Sequence, residues 1–183
     1  SLLSPQQIDR IIQSLVQQGF IFSSDIEITM EVNPATLNSE NCSGFKDAGI
    51  NRVSLGCQSF NDDFLKACNR EHSAQDTRDT IKLIKQHFEN WSLDLLFSLP
   101  KQGLSALEQD LIEIKSFAPP HVSAYCLTLP DKHPMNQGRC EEPEQVAMFE
   151  LVNNHLNEIG LSRYEISNFC LPGHESKHNN LYW

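Results

Sequence analysis

The chain is 183 residues long, 39% hydrophobic and 21% charged, which is ordinary globular material with length for one substantial core. Its 24 acidic and 14 basic residues leave a formal net charge of −10, and without basic clusters such a chain is not expected to bind nucleic acid. No apolar run approaches the roughly 20 residues of a membrane span, and no basic-then-apolar leader opens the chain, so a cytoplasmic location is expected.

Ser4-Pro5-Gln6-Gln7 reads as a capping box with proline at the first helical position. Ile8, Ile11, Ile12, Leu15 and Val16 then share one helical face, and Gly19 supplies the stop. Ile26, Ile28, Met30 and Val32 alternate with Glu27, Thr29 and Glu31, a strand that Asn33-Pro34 ends. A short helix from about Asn38 to Gly49 precedes a second strand, in which Val53, Leu55 and Cys57 alternate with Ser54, Gly56 and Gln58. Helix resumes at Asn61, breaks near Asn69-Arg70 and is recapped at Ser73, with Ile81, Ile84 and Phe88 on its apolar face. The third strand sets Leu93, Leu95, Phe97 and Leu99 against Asp94, Leu96 and Ser98. An amphipathic helix from Leu104 to Phe117 comes next, then a fourth strand from His121 to Leu129 whose two faces are both mixed. Pro143 opens a last helix that Gly160 closes, and a short strand is expected around Tyr164 to Ile166.

Strand and helix alternating at about 30 residues per unit imply right-handed crossovers and a parallel sheet. An open doubly wound sheet buries both strand faces and calls for nearly all-apolar strands. Here the first three strands each keep a polar face, which fits the lumen of a (β/α) barrel, with Glu31, Gln58 and Asp94 inward near the strand ends where barrel sites lie. A full eight-stranded barrel needs about 250 residues. The chain also opens on a helix cap and stops abruptly at Tyr182-Trp183, so a segment of a longer protein, lacking its first strands, is expected. Residues 1–160 form the partial barrel in this reading, and 161–183 begin a further region.

The six cysteines are scattered without CxxC or CxxxC spacing, so no local zinc or iron–sulfur loop is encoded, and reduced, mostly buried thiols are expected. Glu31, Gln58 and Asp94 can together grip a polar ligand such as a ribose; equally, they can solvate a lumen or pair with Arg52 or Arg70. Arg70, in the helical break, can clamp a carboxylate or be a surface arginine. The tail from Tyr164 to Trp183 lacks helical or strand period. In it His178, beside Tyr182 and Trp183, can face a flat aromatic ligand or a metal, or the aromatics can simply plug the barrel. Neither GxGxxG nor GxxxxGK occurs, and no HxH or HExxH pair supports a metal-assisted hydrolase.

Glu31-Val32-Asn33-Pro34, the run from Asn51 to Phe60, Asn69-Arg70-Glu71-His72-Ser73 and the run from Leu93 to Pro100 together resemble the oxygen-independent coproporphyrinogen III oxidase family of radical S-adenosylmethionine proteins. Gln58-Ser59-Phe60, Tyr-Glu-Ile-Ser-Asn-Phe at 164–169 and His-Asn-Asn-Leu-Tyr-Trp at 178–183 are similar to its haem chaperone branch more than to the true oxidase, the alternative reading. The resemblance implies a partial (β/α)6 barrel of the radical SAM type binding S-adenosylmethionine through Glu31, Gln58, Arg70 and Asp94. It implies haem at His178, a haem-acceptor protein as partner, and peripheral membrane association of the parent as a further expectation. It also implies a [4Fe–4S] cluster on a CxxxCxxC motif. That motif is absent from this chain, so its ligands are expected upstream of Ser1 and the chain alone is expected to be inactive.

Overall fold

The computed structural model describes residues 3–181. Helix α1 (Pro5–Gln17) starts as its sequence dictates, with Ser4 and Gln7 closing a reciprocal capping box. It lies on α2 (Ser39–Asp47) so closely that a Cβ at Gly44 would sit 2.8 Å from the Pro5 ring. Only Ile8 and Ile12 of its apolar face are half-covered, while Ile11, Leu15 and Val16 remain exposed.

Four parallel strands come next: β1 (Thr29–Val32), β2 (Arg52–Gln58), β3 (Trp91–Phe97) and β4 (His121–Cys126). They are joined through α2, then α3 (Asp62–Ala67) and α4 (Ala74–His87), then α5 (Leu104–Phe117). The spatial order β1-β2-β3-β4 never reverses. Each right-handed crossover therefore steps the same way and keeps the helices on one face, the winding of a barrel and not of a doubly wound sheet. Met30, Val32, Val53, Leu55, Cys57, Leu93, Leu95, Phe97, Val122 and Ala124 form the helix-facing row and join α4, α5 and α6 (Glu142–Glu158) in one core. At about 1.5–3 kcal/mol per large apolar side chain, this row supplies most of the drive that fixes the strands' facing.

The last part of the sheet departs from expectation. The segment Tyr164 to Ile166 is not a strand. It is the turn between β5 (Ser162–Arg163) and β6 (Asn168–Cys170), an antiparallel pair whose β6 edge lies antiparallel on β4. The turn is closed by Tyr164 N–H donating to Asn168 O at 3.1 Å and by Glu165 accepting from Ser167 N–H. The sheet is an open arc of six strands. β4 ends at Cys126 and not at Leu129, because beyond Leu127 the chain turns out toward a 3-10 turn, η1 (Pro134–Asn136). The tail holds a short helix, α7 (Lys177–Asn180), capped by Ser176, where no period is legible. Tyr182 and Trp183, expected beside His178, lie outside the described residues.

Candidate functional site

Opposite the helices, the sheet presents a polar face. Pairing register places Glu31 beside Ser54, Ser54 beside Ser92, and Asp94 beside Ser123, so one band crosses four strands. Ser54 Oγ lies 2.8 Å from Ser92 Oγ and 3.1 and 3.2 Å from the two Asp94 carboxylate oxygens. This band floors a cleft of about 740 Å³, within the range of small-molecule sites. Glu31 and Asp94 line it two strands apart, roughly 10 Å at ordinary strand spacing. Burial pushes the Asp94 carboxyl up to about 6 against the pull of its Ser54 and Ser123 hydrogen bonds, and the charge of Glu31 adds to the rise.

Gln58 and Arg70 meet elsewhere, at the C-terminal ends of β1 and β2. A bulge between Leu55 and Gln58 breaks the β2–β3 register, and Gln58 takes a positive φ of 66°. Its Nε2 is 3.1 Å from where a Cβ on Gly56 would sit, and Asn33 Oδ1 is 3.4 Å from the same point. Gly56 thus makes room for two amides to converge. Arg70 reaches the same spot: its guanidinium donates to Asn33 Oδ1 at 3.2 Å. Helix α3 stops at Ala67, and Asn69 with φ 54° turns Arg70 back toward the sheet. The four predicted cofactor contacts therefore fall into two groups, Glu31 and Asp94 on the floor of the cleft and Gln58 and Arg70 on a rim at the strand ends that is not part of the cleft's lining.

His178 is at the other end. Its neighbours in α7 bind residues that precede or begin strands. Lys177 pairs with Asp25 at 2.7 Å, Ser176 Oγ donates to Glu27 at 3.4 Å, and the buried Arg52 donates to His174 O at 3.2 Å. His178 lines the cleft from there and is exposed, about 20 Å along β2 from Gln58 at ordinary strand rise. The described tail, up to Leu181, is held by polar contacts as a hydrogen-bonded clip. At its centre Tyr164 Oη accepts from Ser176 N–H at 3.2 Å and from the Asn179 amide at 3.4 Å, which leaves its own proton to donate to His121 Nε2 at 2.9 Å. That assigns the proton of the neutral ring to Nδ1 of His121, a buried atom without a hydrogen-bond partner. Burial, with Arg52 and His174 nearby, lowers His121 to about 3 and keeps the ring neutral.

Sequence reasoning missed several lining residues: Glu27, Arg52, Ser54, Ser92, His121, Ser123 and Tyr125. Their signal is the same period of 2 that exposes Glu31 and Asp94, read back to the start of each strand. β4 has a polar row too, His121-Ser123-Tyr125, opposite Val122-Ala124-Cys126. Of the alternatives for the band, an ion pair with Arg52 is not the one formed: Arg52 lies 3.9 Å from Glu27. Ser98 leaves the polar face, since a φ of 61° swings it to the helix side.

The radical SAM superfamily model matches residues 2–113. The chain belongs to the radical SAM superfamily. The heme chaperone HemW of Lactococcus lactis is 36% identical over 100% of this chain and 50% of its own length, and that of Bacillus subtilis is 37% identical over 99% and 50%. The chain thus spans about half the length of these curated relatives. Coproporphyrinogen III oxidase from Escherichia coli superposes with a TM-score of 0.81 at 22% identity, covering 94% of this chain and 41% of that one, and so shares its fold.

The family implies S-adenosylmethionine and an iron–sulfur cluster. The donor set here suits the first: carboxylates on the floor, and a cradle of amide groups beside an arginine at the rim. It does not suit the second. Cys42, Cys57 and Cys170 are buried, and no three His, Cys, Asp or Glu side chains converge among the described residues.

Proposed function

We propose that this chain is the S-adenosylmethionine-binding part of a radical SAM haem chaperone, one that carries haem to an acceptor protein. What supports the reading most is the joint placement of floor and rim. Glu31 and Asp94 offer acceptors for paired ribose hydroxyls, while Arg70, beside Asn33, Gly56 and Gln58, offers a guanidinium for an amino-acid carboxylate. His178, exposed at the opposite end of the same cleft, is the proposed iron ligand for haem. The similarity, over essentially all of this chain and half of theirs, to proteins called heme chaperones favours this over coproporphyrinogen oxidation. The cluster's ligands are assigned to no residue of this chain, and no chemistry through it is derived.

Two titrations test the proposal separately. Equilibrium dialysis with S-adenosylmethionine should show binding that Arg70→Ala weakens by about tenfold or more, the worth of a lost charge-assisted pair. Haem titration should give a Soret shift that His178→Ala removes; identical spectra and affinities for the two proteins would eliminate His178 as ligand. Retention of S-adenosylmethionine binding in His178→Ala is expected, since His178 is none of the four proposed contacts.

A further inference from the structure

On the helix side of the sheet, away from the cleft, the sulfur atoms of Cys140 and Met148 come into contact, and the thiol of Cys126 lies across the Gln145 side chain from them. Cys126 ends β4, Cys140 precedes α6, and Met148 lies fully buried within α6. Cys140 Sγ is 3.9 Å from Met148 Sδ and 3.6 Å from Ser98 Oγ. Gln145 closes the group: its Oε1 is 3.9 Å from Cys126 Sγ, and its Nε2 donates to Cys140 O at 2.8 Å. No spacing along the chain hints at this, because the residues are 14 and 8 apart in an irregular loop and a helix.

We propose that Cys126, Cys140 and Met148 form a three-sulfur site for a soft monovalent cation, copper(I). Thiolate and thioether are the ligands that select this ion over harder divalent cations. With metal–sulfur bonds of about 2.3 Å, a planar three-coordinate site sets its sulfur atoms about 4 Å apart, and the Cys140–Met148 spacing of 3.9 Å already has that length. Charge balances as well. Two thiolates and one copper(I) carry a net −1, and the Arg139 guanidinium, fixed to Ser98 O at 3.2 Å and Ser98 Oγ at 3.3 Å, supplies the compensating cation. Binding replaces the two thiol protons, which leave to solvent, and changes no oxidation state. Cys126 is exposed and gives the ion a way in, while Met148 anchors the site in the core.

The test is an anaerobic titration of the 183-residue chain with copper(I) against bicinchoninate, a coloured competitor. One equivalent should pass to the protein, with thiolate-to-metal absorption in the ultraviolet. Cys126→Ser and Cys140→Ser should each abolish the transfer. Met148→Leu, which keeps the volume of the core, should weaken it by about tenfold. Cys170→Ser, a thiol remote from the trio, should leave it intact. No transfer, an equal loss in Cys170→Ser, or full affinity in Met148→Leu would overturn the site. Far-UV circular dichroism of the exposed-position variant Cys126→Ser separates loss of the ligand from loss of the fold.

Discussion

Asp94 is a carboxylic acid placed where charge is costly. Its proton is held to about pH 6 in the folded chain, against an ordinary value of 3.8. A raised carboxyl contributes stability that is fully present below about pH 4 and is lost as pH rises through 6, because the folded state must then hold an anion away from water. Asp94→Asn, neutral throughout and still able to accept from Ser54, should be more stable than the parent at pH 8 by about 1–3 kcal/mol, with the gain vanishing at pH 4. Chemical denaturation at the two pH values measures this. The same variant should bind S-adenosylmethionine less well, so a stability gain with unchanged affinity would remove Asp94 from the proposed site. The residue was legible from the alternation Leu93-Asp94-Leu95; its perturbed acidity was not, since that depends first on burial in the folded sheet and then on the charge of Glu31, set against the hydrogen bonds of Ser54 and Ser123, from three other strands.

At the scale of elements, the turn after β2 carries the most information. Gln58 sits at a bulge with a left-handed backbone, and the adjoining Ser59-Phe60 segment is pinned from behind the sheet by α5. Asp110 accepts from Phe60 N–H at 2.7 Å and from Ser59 Oγ at 2.8 Å, while Phe60 stacks on Phe117 at 5.9 Å. Burial raises Asp110 to about 6, so this clamp too has a cost. Asp110→Ala would leave the buried Phe60 N–H unpaired, at about 1–3 kcal/mol in urea unfolding. By freeing the loop it should also lower affinity for S-adenosylmethionine, although Asp110 is on the far side of the sheet. A stability loss without an affinity loss would confine Asp110 to a structural role. The elements were readable because capping boxes at Ser4, Asn38 and Ser73 and the period of the apolar residues are local properties. The bulge was not, since a one-residue shift in register is a matter of how β2 meets β3.

For the molecule as a whole, the tail decides the shape of the cleft. Arg52, buried at the start of β2, joins the tail to the sheet through Asn90 Oδ1 at 2.9 Å, His174 O at 3.2 Å and Glu27 at 3.9 Å. Removing it takes away the one ion-pair partner that Glu27 has among the described residues, leaving that carboxylate only its Thr29, Ser176 and Lys177 N–H donors. Arg52→Met should cost about 3–5 kcal/mol in a denaturant titration, whereas Lys177→Ala, which breaks an exposed pair, should cost under about 1 kcal/mol. Comparable losses would show that the tail is held by its surface contacts and not by the buried arginine. In limited proteolysis Arg52→Met should be cut first between Leu171 and Leu181, the stretch that Arg52 and Tyr164 hold down.

Spacing along the chain was enough to tell which residues form most of the helices and strands, which strand faces are apolar and, through the motifs, the kinship with radical SAM proteins, because each of these is a property of near neighbours in sequence. It took the folded arrangement to establish that Glu31 and Asp94 share a floor while Gln58 and Arg70 share a rim, and that His178 stands at the opposite end. Folding alone set an antiparallel pair at the sheet edge and put the Cys140 thiol against Met148, with Cys126 across Gln145. Those facts depend on register, on backbone reversals at single residues such as Gln58, Asn69 and Ser98, and on where a crossover returns the chain. A one-dimensional pattern records the period of a strand but not its neighbour.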